Sequence, residues 1–144
     1  MGSFSSLSNK LRSLKKDLKP SVTKLTTTLA LDIVQELVFR TPADTSKALS
    51  NWNVKVGSSS RDVIEAYIQG ERGSTRIASA EEAIGNANAS LKGRKLGQII
   101  YITNNVDYIK DLNDGSSLQA PAGFVDISVI AAKKRVRKLG FKKL

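Results

Sequence analysis

Apolar residues recur every three or four positions from Phe4 to Val38, a spacing that places them on one face of an α-helix. Pro20 divides the pattern, because proline has no backbone N–H and its ring clashes with the preceding helical turn. We therefore expect either a kink at Pro20 or a second helix that begins there. The apolar positions are Phe4, Leu7, Leu11, Leu14 and Leu18 before the proline, and Val22, Leu25, Leu29, Ile33, Leu37 and Val38 after it.

The helix is expected to end at Thr41, because a residue that precedes proline avoids the helical conformation. Asp44 or Thr45 can then cap a short helix through its side-chain oxygen. The segment from Trp52 to Val56 alternates in polarity, which is typical of a half-buried strand. Trp52 is the single tryptophan of the chain, and we expect it to anchor the core rather than to stack on a ligand.

Further elements are expected in the middle of the chain. Residues 62–70 are compatible with either a strand or a short helix. Ser79 and Glu82 have the spacing of a capping box, which predicts a helix from about residue 78 to Leu91. β-Branched, aromatic and other apolar residues dominate 98–103 and predict a second strand there.

A short amphipathic helix is expected after the second strand, because Val106, Ile109 and Leu112 share one helical face. The breakers at 113–115 then end it and open a polar loop. This loop reaches residue 121 and is longer than most simple connections, which take about 4–6 residues. We therefore expect the loop to be ordered and to face another subunit.

A terminal helix is expected from Pro121 or Ala122 to Arg137, with proline in its first turn. The apolar residues that recur at helical spacing in this segment are Val125, Val129, Ala132 and Val136. Together the elements predict an α+β fold in which a long N-terminal helix and a C-terminal helix pack on a small, mainly antiparallel β-sheet. We divide the chain into a basic N-terminal arm at 1–19, a single α+β domain at 20–138 and a basic C-terminal tail at 139–144.

Two sequence boxes resemble those of tailed-bacteriophage neck and tail-completion proteins, the minor tail protein Z-like group. The first box, at 40–57, resembles the family pattern TPVDTGRLRxSW, and the second, at 101–125, resembles IYIxNxxxYaxxLExGxSxQAPxGfV. Ser46 stands where the family has glycine, and Asn113-Asp114 stand where it has an acidic-aromatic or Glu-Asp pair. With its flanking helices the resemblance covers about residues 25–135. The matching residues are Thr41, Pro42, Asp44, Thr45, Leu49, Ser50 and Trp52 in the first box, and Tyr101, Asn104, Asn105, Tyr108, Leu112, Gly115, Ser117, Gln119, Ala120, Pro121 and Gly123 in the second.

The resemblance implies a structural virion protein that acts in tail completion and head–tail joining. Such a neck protein forms a ring of copies around the DNA channel, and it is assembled in the host cytoplasm. Its implied partners are copies of itself and the neighbouring neck, connector and tail proteins of the phage, with transient contact with genomic DNA. The residues expected to anchor the fold are Pro42, Trp52, Tyr101 and Tyr108.

Subunit contacts are expected at two places. The N-terminal arm has a narrow apolar stripe and a high charge, which suit docking on a neighbour through Leu7, Leu11 and Leu14. The loop at 113–121 is expected to contribute Gly115, Gln119 and Pro121. Gln119 can use its amide donor and acceptor on a neighbour or on the backbone of its own chain.

The net charge of +10 is concentrated at the two ends of the chain. Residues 1–24 hold six basic residues and one acidic residue, residues 131–144 hold seven basic residues and no acidic one, and residues 25–130 are slightly acidic. Basic ends can simply keep a small protein soluble, or they can contact a polyanion or an acidic subunit. The alternative function is therefore a small basic nucleic-acid-binding protein. The candidate contact residues are Lys133, Lys134, Arg135, Arg137, Lys138, Lys142 and Lys143.

Catalytic chemistry is not expected. The chain contains no cysteine and no histidine, which removes thiol nucleophiles and the commonest general base. Asp107, Asp111 and Asp114 do not follow a calcium-loop pattern, and we interpret them as solvated acids. We therefore predict no enzyme, no cofactor, no metal site and, since no run approaches ~18 apolar residues, no membrane contact.

Overall fold

Helices and two short strands alternate along the chain in the computed structural model, which describes the backbone of residues 3–139 and the side chains of residues 22–139. The chain belongs to the α+β class, as predicted. In order, the elements are α1 (Ser3–Arg40), α2 (Lys47–Ser50), β1 (Asn53–Val56), α3 (Arg76–Leu91), β2 (Ile100–Thr103), α4 (Ile109–Asn113) and α5 (Phe124–Lys138).

Helix α1 is one element that includes Pro20, so no second helix begins at this residue. An internal proline removes one hydrogen bond, and the remaining turns of a long helix retain theirs. The helix ends at Arg40, next to the expected position. The backbone N–H and the hydroxyl of Thr41 both donate to the Leu37 carbonyl, at 2.9 and 2.5 Å. Pro42 then directs the chain into a buried turn.

Strands β1 and β2 form a two-stranded antiparallel sheet in which Val54 faces Ile102 and Val56 faces Ile100. The Gly57 N–H donates to the Ile99 carbonyl at 2.8 Å and continues the pairing past the end of β1. An isolated two-stranded sheet is marginal in water. Its stability here depends on α3, which packs against β1, and on α1, which contacts β2.

The core lies between α1, α3, α5 and the sheet. Trp52 is 8% exposed and belongs to the same cluster as Val34 and Val38 of α1, which confirms that it is buried. Its indole Nε1–H donates to the Thr41 hydroxyl oxygen at 2.8 Å, so the polar group of the ring is paired. Among the other expected anchors, Pro42 is buried and Tyr101 is half-buried on β2.

Helix α5 begins two or three residues later than expected. Gly123 adopts a left-handed conformation with φ 78°, and the helix starts at Phe124, so Pro121 lies outside its first turn. The buried face therefore consists of Phe124, Ser128, Ala132 and Val136, whereas the predicted Val125 and Val129 are only half-buried.

Residues 57–75 form neither a strand nor a helix, so neither element considered for 62–70 is present. Side chains hold this segment instead. The Asn51 amide donates to the Ile64 carbonyl at 2.9 Å and accepts from the Ile64 N–H at 2.8 Å. The Ser79 hydroxyl makes the same two contacts with Ile68, both at 3.0 Å. The capping box predicted at Ser79 is wrong, because α3 already begins at Arg76 and Ser79 is buried inside it.

Helices α1 and α5 are joined by ion pairs. The Arg135 guanidinium donates to Asp32 at 2.5 Å and also to Glu36. Glu36 in turn accepts from Arg40 Nε at 2.8 Å. Burial alone would raise the pKa of Glu36, but the hydrogen bonds from Arg40 and Arg135 outweigh it and hold the pKa below its ordinary value of 4.5.

Glu36 is expected to make the stability of the fold pH-dependent. Because its pKa is lower in the folded chain, Glu36 contributes stability above about pH 4.5 and loses this contribution as the pH falls through the folded value. Glu36→Gln removes the titrating group and nearly preserves its shape. The difference in unfolding free energy between wild type and Glu36→Gln, measured in urea, should shrink between about pH 7 and pH 3. A constant difference over this range would contradict the ion-pair assignment.

Trp52 gives the second test of the fold. Trp52→Ala removes the largest side chain of the core and leaves the Thr41 hydroxyl without its donor, so the free energy of unfolding should fall by about 3–5 kcal/mol. Trp52→Phe is the matched control, since it keeps a ring in the core and should lower the free energy of unfolding by less. Denaturant unfolding measures both. A loss below about 1 kcal/mol for Trp52→Ala would place the indole at the surface.

Candidate functional site

The two sequence boxes meet at one place on the molecule. The Ala43 N–H, in the turn after α1, donates to Gln119 Oε1 at 2.9 Å, although the two residues lie 76 positions apart in the chain. Of the two roles expected for the Gln119 amide, the contact with its own chain is therefore the one formed. We call residues 41–48 and 108–123 together the box surface.

Ser46 gives the first half of the box surface its shape. It is fully buried and left-handed, with φ 68° and ψ 8°, a conformation that glycine adopts without strain. This is the position where the resembling family has glycine. Its hydroxyl lies 3.0 Å from that of Thr75, and its carbonyl accepts the Ser50 N–H at 3.1 Å and the Ser50 hydroxyl at 2.7 Å. Two hydrogen bonds to its carbonyl thus fix the strained residue.

Asp44 holds a second loop against the turn rather than capping α2. Its carboxylate accepts the Arg72 N–H at 2.7 Å, and its backbone carbonyl accepts the Gly73 N–H at 2.8 Å. Thr45, the other predicted cap, accepts only a long hydrogen bond of 3.4 Å from Lys47. The first box therefore connects the end of α1 to the segment that precedes α3.

The second half of the box surface is a loop closed by backbone hydrogen bonds. Helix α4 ends in a Schellman motif, in which the Ser116 N–H donates to the Asp111 carbonyl and the Gly115 N–H to the Leu112 carbonyl. Gly115 has φ 96°, and a side-chain Cβ there would lie 3.2 Å from Ala122 Cβ. Any other residue at this position would therefore be strained.

Asn113 closes the other side of the same loop. Its carbonyl accepts the Gly123 N–H at 2.6 Å, and its side-chain oxygen accepts the Val125 N–H at 3.1 Å. Together with the Gln119 contact to Ala43, these bonds order the loop within its own chain. Leu118 at its outer side is left fully exposed.

A cleft of about 320 Å³ runs between the two halves. Tyr108, expected as a fold anchor, instead lies at this cleft and is 37% exposed. Burial raises the pKa of Tyr108, which Asp107 and Glu65 raise further and Lys47 opposes. The lining residues include Pro42, Thr45, Lys47, Tyr108, Leu112, Ser117 and Gln119.

The cleft carries hydrogen-bonding, charged and apolar groups. Thr45, Ser117 and Tyr108 offer hydroxyls, the Gln119 NH₂ group has no hydrogen-bond partner among residues 22–139, and Lys47 pairs with Glu65 at 3.3 Å. In residues 22–139, no three acidic side chains come together to hold a metal ion.

The remaining predicted contact residues are dispersed. Gly115, Gln119 and Pro121 all lie on the box surface and are exposed. Lys133, Lys134 and Lys138 are exposed on α5, and Arg135, also exposed, is bound to Asp32 and Glu36 of its own chain. Arg137 is also exposed and on the same helix. The side chains of Leu7, Leu11 and Leu14, and both Lys142 and Lys143, lie outside the described residues.

Sequence reasoning missed two features of this part of the molecule. Ala43 takes part through its backbone N–H, a group that the identity of the side chain does not reveal. Leu118 was read only as part of a polar loop, although a large apolar residue between hydrophilic neighbours is itself a signal of exposure.

Comparison of the chain with protein-family models, characterised proteins and solved structures returned no match. Among the described residues, no helix has the length and apolar character required to cross a bilayer.

Ser46 provides a test of the geometry of the box surface. Ser46→Gly and Ser46→Ala both remove the hydroxyl that faces Thr75, but only glycine relieves the left-handed strain. We expect the glycine variant to be more stable than the alanine variant by about 1 kcal/mol, in denaturant unfolding of both. Equal stability, or a more stable alanine variant, would contradict the left-handed assignment.

Proposed function

We propose that the chain is a structural virion protein of a tailed bacteriophage, located in the neck, where it completes the tail and joins it to the head. Copies of the chain form a ring around the DNA channel and contact neighbouring neck, connector and tail proteins. The observation that supports this proposal best is the meeting of the two family-like boxes in one surface through the Ala43–Gln119 hydrogen bond.

The construction of this surface favours an interaction role. The 113–123 loop uses Gly115, Asn113 and Gln119 to hold a fixed shape, yet it exposes Leu118 instead of burying it. This order also stabilises the connection between α4 and α5, but the connection alone does not require a large exposed apolar side chain. A preorganised loop binds a partner with a smaller loss of conformational entropy.

Helix α1 provides the second support. It has 38 residues and is roughly 57 Å long at 1.5 Å per residue. Of the side chains described from residue 22 onwards, those before Ala30 lie outside the buried core cluster, and we propose that this stretch of the helix contacts a neighbour. Subunits of closed rings commonly gain interface area through such extensions.

Disruption of the loop in the virion protein tests the proposal. Gly115→Val forces a side chain into a left-handed position and against Ala122, and Gln119→Ala removes the bond to Ala43. Phage that carry both substitutions should produce heads and tails that fail to join, counted by electron microscopy.

The matched control is Gly85→Val with Gln69→Ala. Gly85 lies on α3 with open space around the position of an added Cβ, and both residues are exposed and outside the box surface. The control should join heads to tails normally, provided that both double variants remain folded by thermal melting. Normal joining by the loop variant would contradict the proposal.

The alternative, a nucleic-acid-binding protein, is favoured by one observation: Lys133, Lys134 and Lys138 are exposed at the end of α5. Replacement of the three lysines by glutamine should then weaken DNA binding and reduce its dependence on salt, since each phosphate contact adds to that slope. A protein that joins heads to tails and does not shift DNA would exclude this alternative.

A further inference from the structure

We propose that the loop of one copy docks into an apolar groove between α1 and β2 of the next copy. The proposal rests on the self-assembly proposed above and names the two surfaces that meet. The loop contributes Leu118 and Asp114, and the groove contributes an apolar floor with Arg94 at its side.

The groove has a volume of about 410 Å³, and six of its ten lining residues are aliphatic. Ile99 at its edge is 62% exposed, Ala30 is buried, and the other aliphatic residues of the lining are half-buried. The apolar side chain of a partner can therefore bury apolar surface here, its own and that of Ile99. The lining includes Leu29, Ala30 and Ile33 of α1 and Ile99, Ile100 and Ile102 at the sheet.

Arg94 lines the groove and is the one charged residue among its described lining residues. Its Nε and Nη2 donate to the Gln98 carbonyl at 3.0 and 2.7 Å, and its buried Nη1 has no hydrogen-bond partner among residues 22–139. The side chain as a whole is half-buried and brings a positive charge to the side of the groove. The groove therefore fits an apolar side chain accompanied by a carboxylate, since charge-assisted hydrogen bonds to a guanidinium are the strong ones.

The 113–123 loop carries these two groups. Leu118 is fully exposed, and Asp114, at the end of α4, is also exposed. Because Leu118 is fully exposed, it does not occupy the groove of its own chain. The N-terminal arm is the competing occupant, but residues 1–24 have a net charge of +5 and would bring like charge to Arg94.

A contact between two different surfaces of identical chains is heterologous, and repetition of it gives a closed ring or an open filament. This is the type of contact that a neck ring requires.

Cysteine cross-linking tests the contact, and the absence of cysteine from the chain removes any background. Leu118→Cys combined with Ile99→Cys should give a ladder of disulfide-linked multimers under mild oxidation, because disulfides form only between residues whose Cα atoms lie within about 7 Å. A mixture of the two single variants should give covalent dimers and nothing larger. Leu118→Cys with Ile77→Cys is the control, since Ile77 is 69% exposed on α3 and lies outside the groove.

Charge reversal tests the role of Arg94. Asp114→Arg in the double-cysteine chain should slow formation of the ladder, and addition of Arg94→Asp should restore it. Slower cross-linking without restoration would overturn the pairing of these two residues.

Three results would overturn the docking itself: a ladder no stronger than the Ile77 control, disulfides between two Ile99→Cys chains, or cross-links from Ile99→Cys to Leu11→Cys in the arm. If one of these results is found but native mass spectrometry still shows oligomers, the loop-in-groove docking is wrong and the proposed neck function stands. If the chain remains monomeric and yields no ladder, both the docking and the proposed neck function are wrong.

Discussion

Buried backbone groups outside regular secondary structure need hydrogen-bond partners, and most of this fold depends on how that requirement is met. The sheet has only two strands of four residues, so it satisfies few of these groups. Side chains supply hydrogen-bond partners for other buried backbone groups. The amide of Asn51 and the hydroxyl of Ser79 pair with both backbone groups of Ile64 and Ile68, as a neighbouring strand would. An irregular segment of almost twenty residues, 57–75, thereby packs against α2 and α3.

Side-chain hydrogen bonds also build the box surface. Thr41, Asp44 and Gln119 each bond a group that is distant in sequence, and together they connect the end of α1 to the indole of Trp52, to the segment before α3 and to the loop before α5. The position of the loop therefore follows from the helix end rather than from the loop alone. These hydrogen bonds give the box surface its shape, and Leu118 is left exposed at its outer side.

Much of the fold could be predicted from patterns that act locally. Helical spacing identified α1 and α5, alternation identified β1, and the apolar run identified β2. The errors arose where tertiary contacts prevail over local signals. Ser79 has the sequence of a helix cap but lies inside α3, where its hydroxyl is hydrogen-bonded to the backbone of Ile68. The box surface was predictable only in its residue content, because the bond that unites it uses the backbone N–H of Ala43.

The central claim is that the chain assembles with copies of itself into a closed ring. Sedimentation velocity of the full chain over a range of concentrations tests it most directly. The account predicts one discrete species whose mass is an integer multiple of 15.6 kDa, larger than a dimer and constant in size on further concentration. A chain that remains monomeric at every concentration up to its solubility limit, or that grows without limit, would contradict the account.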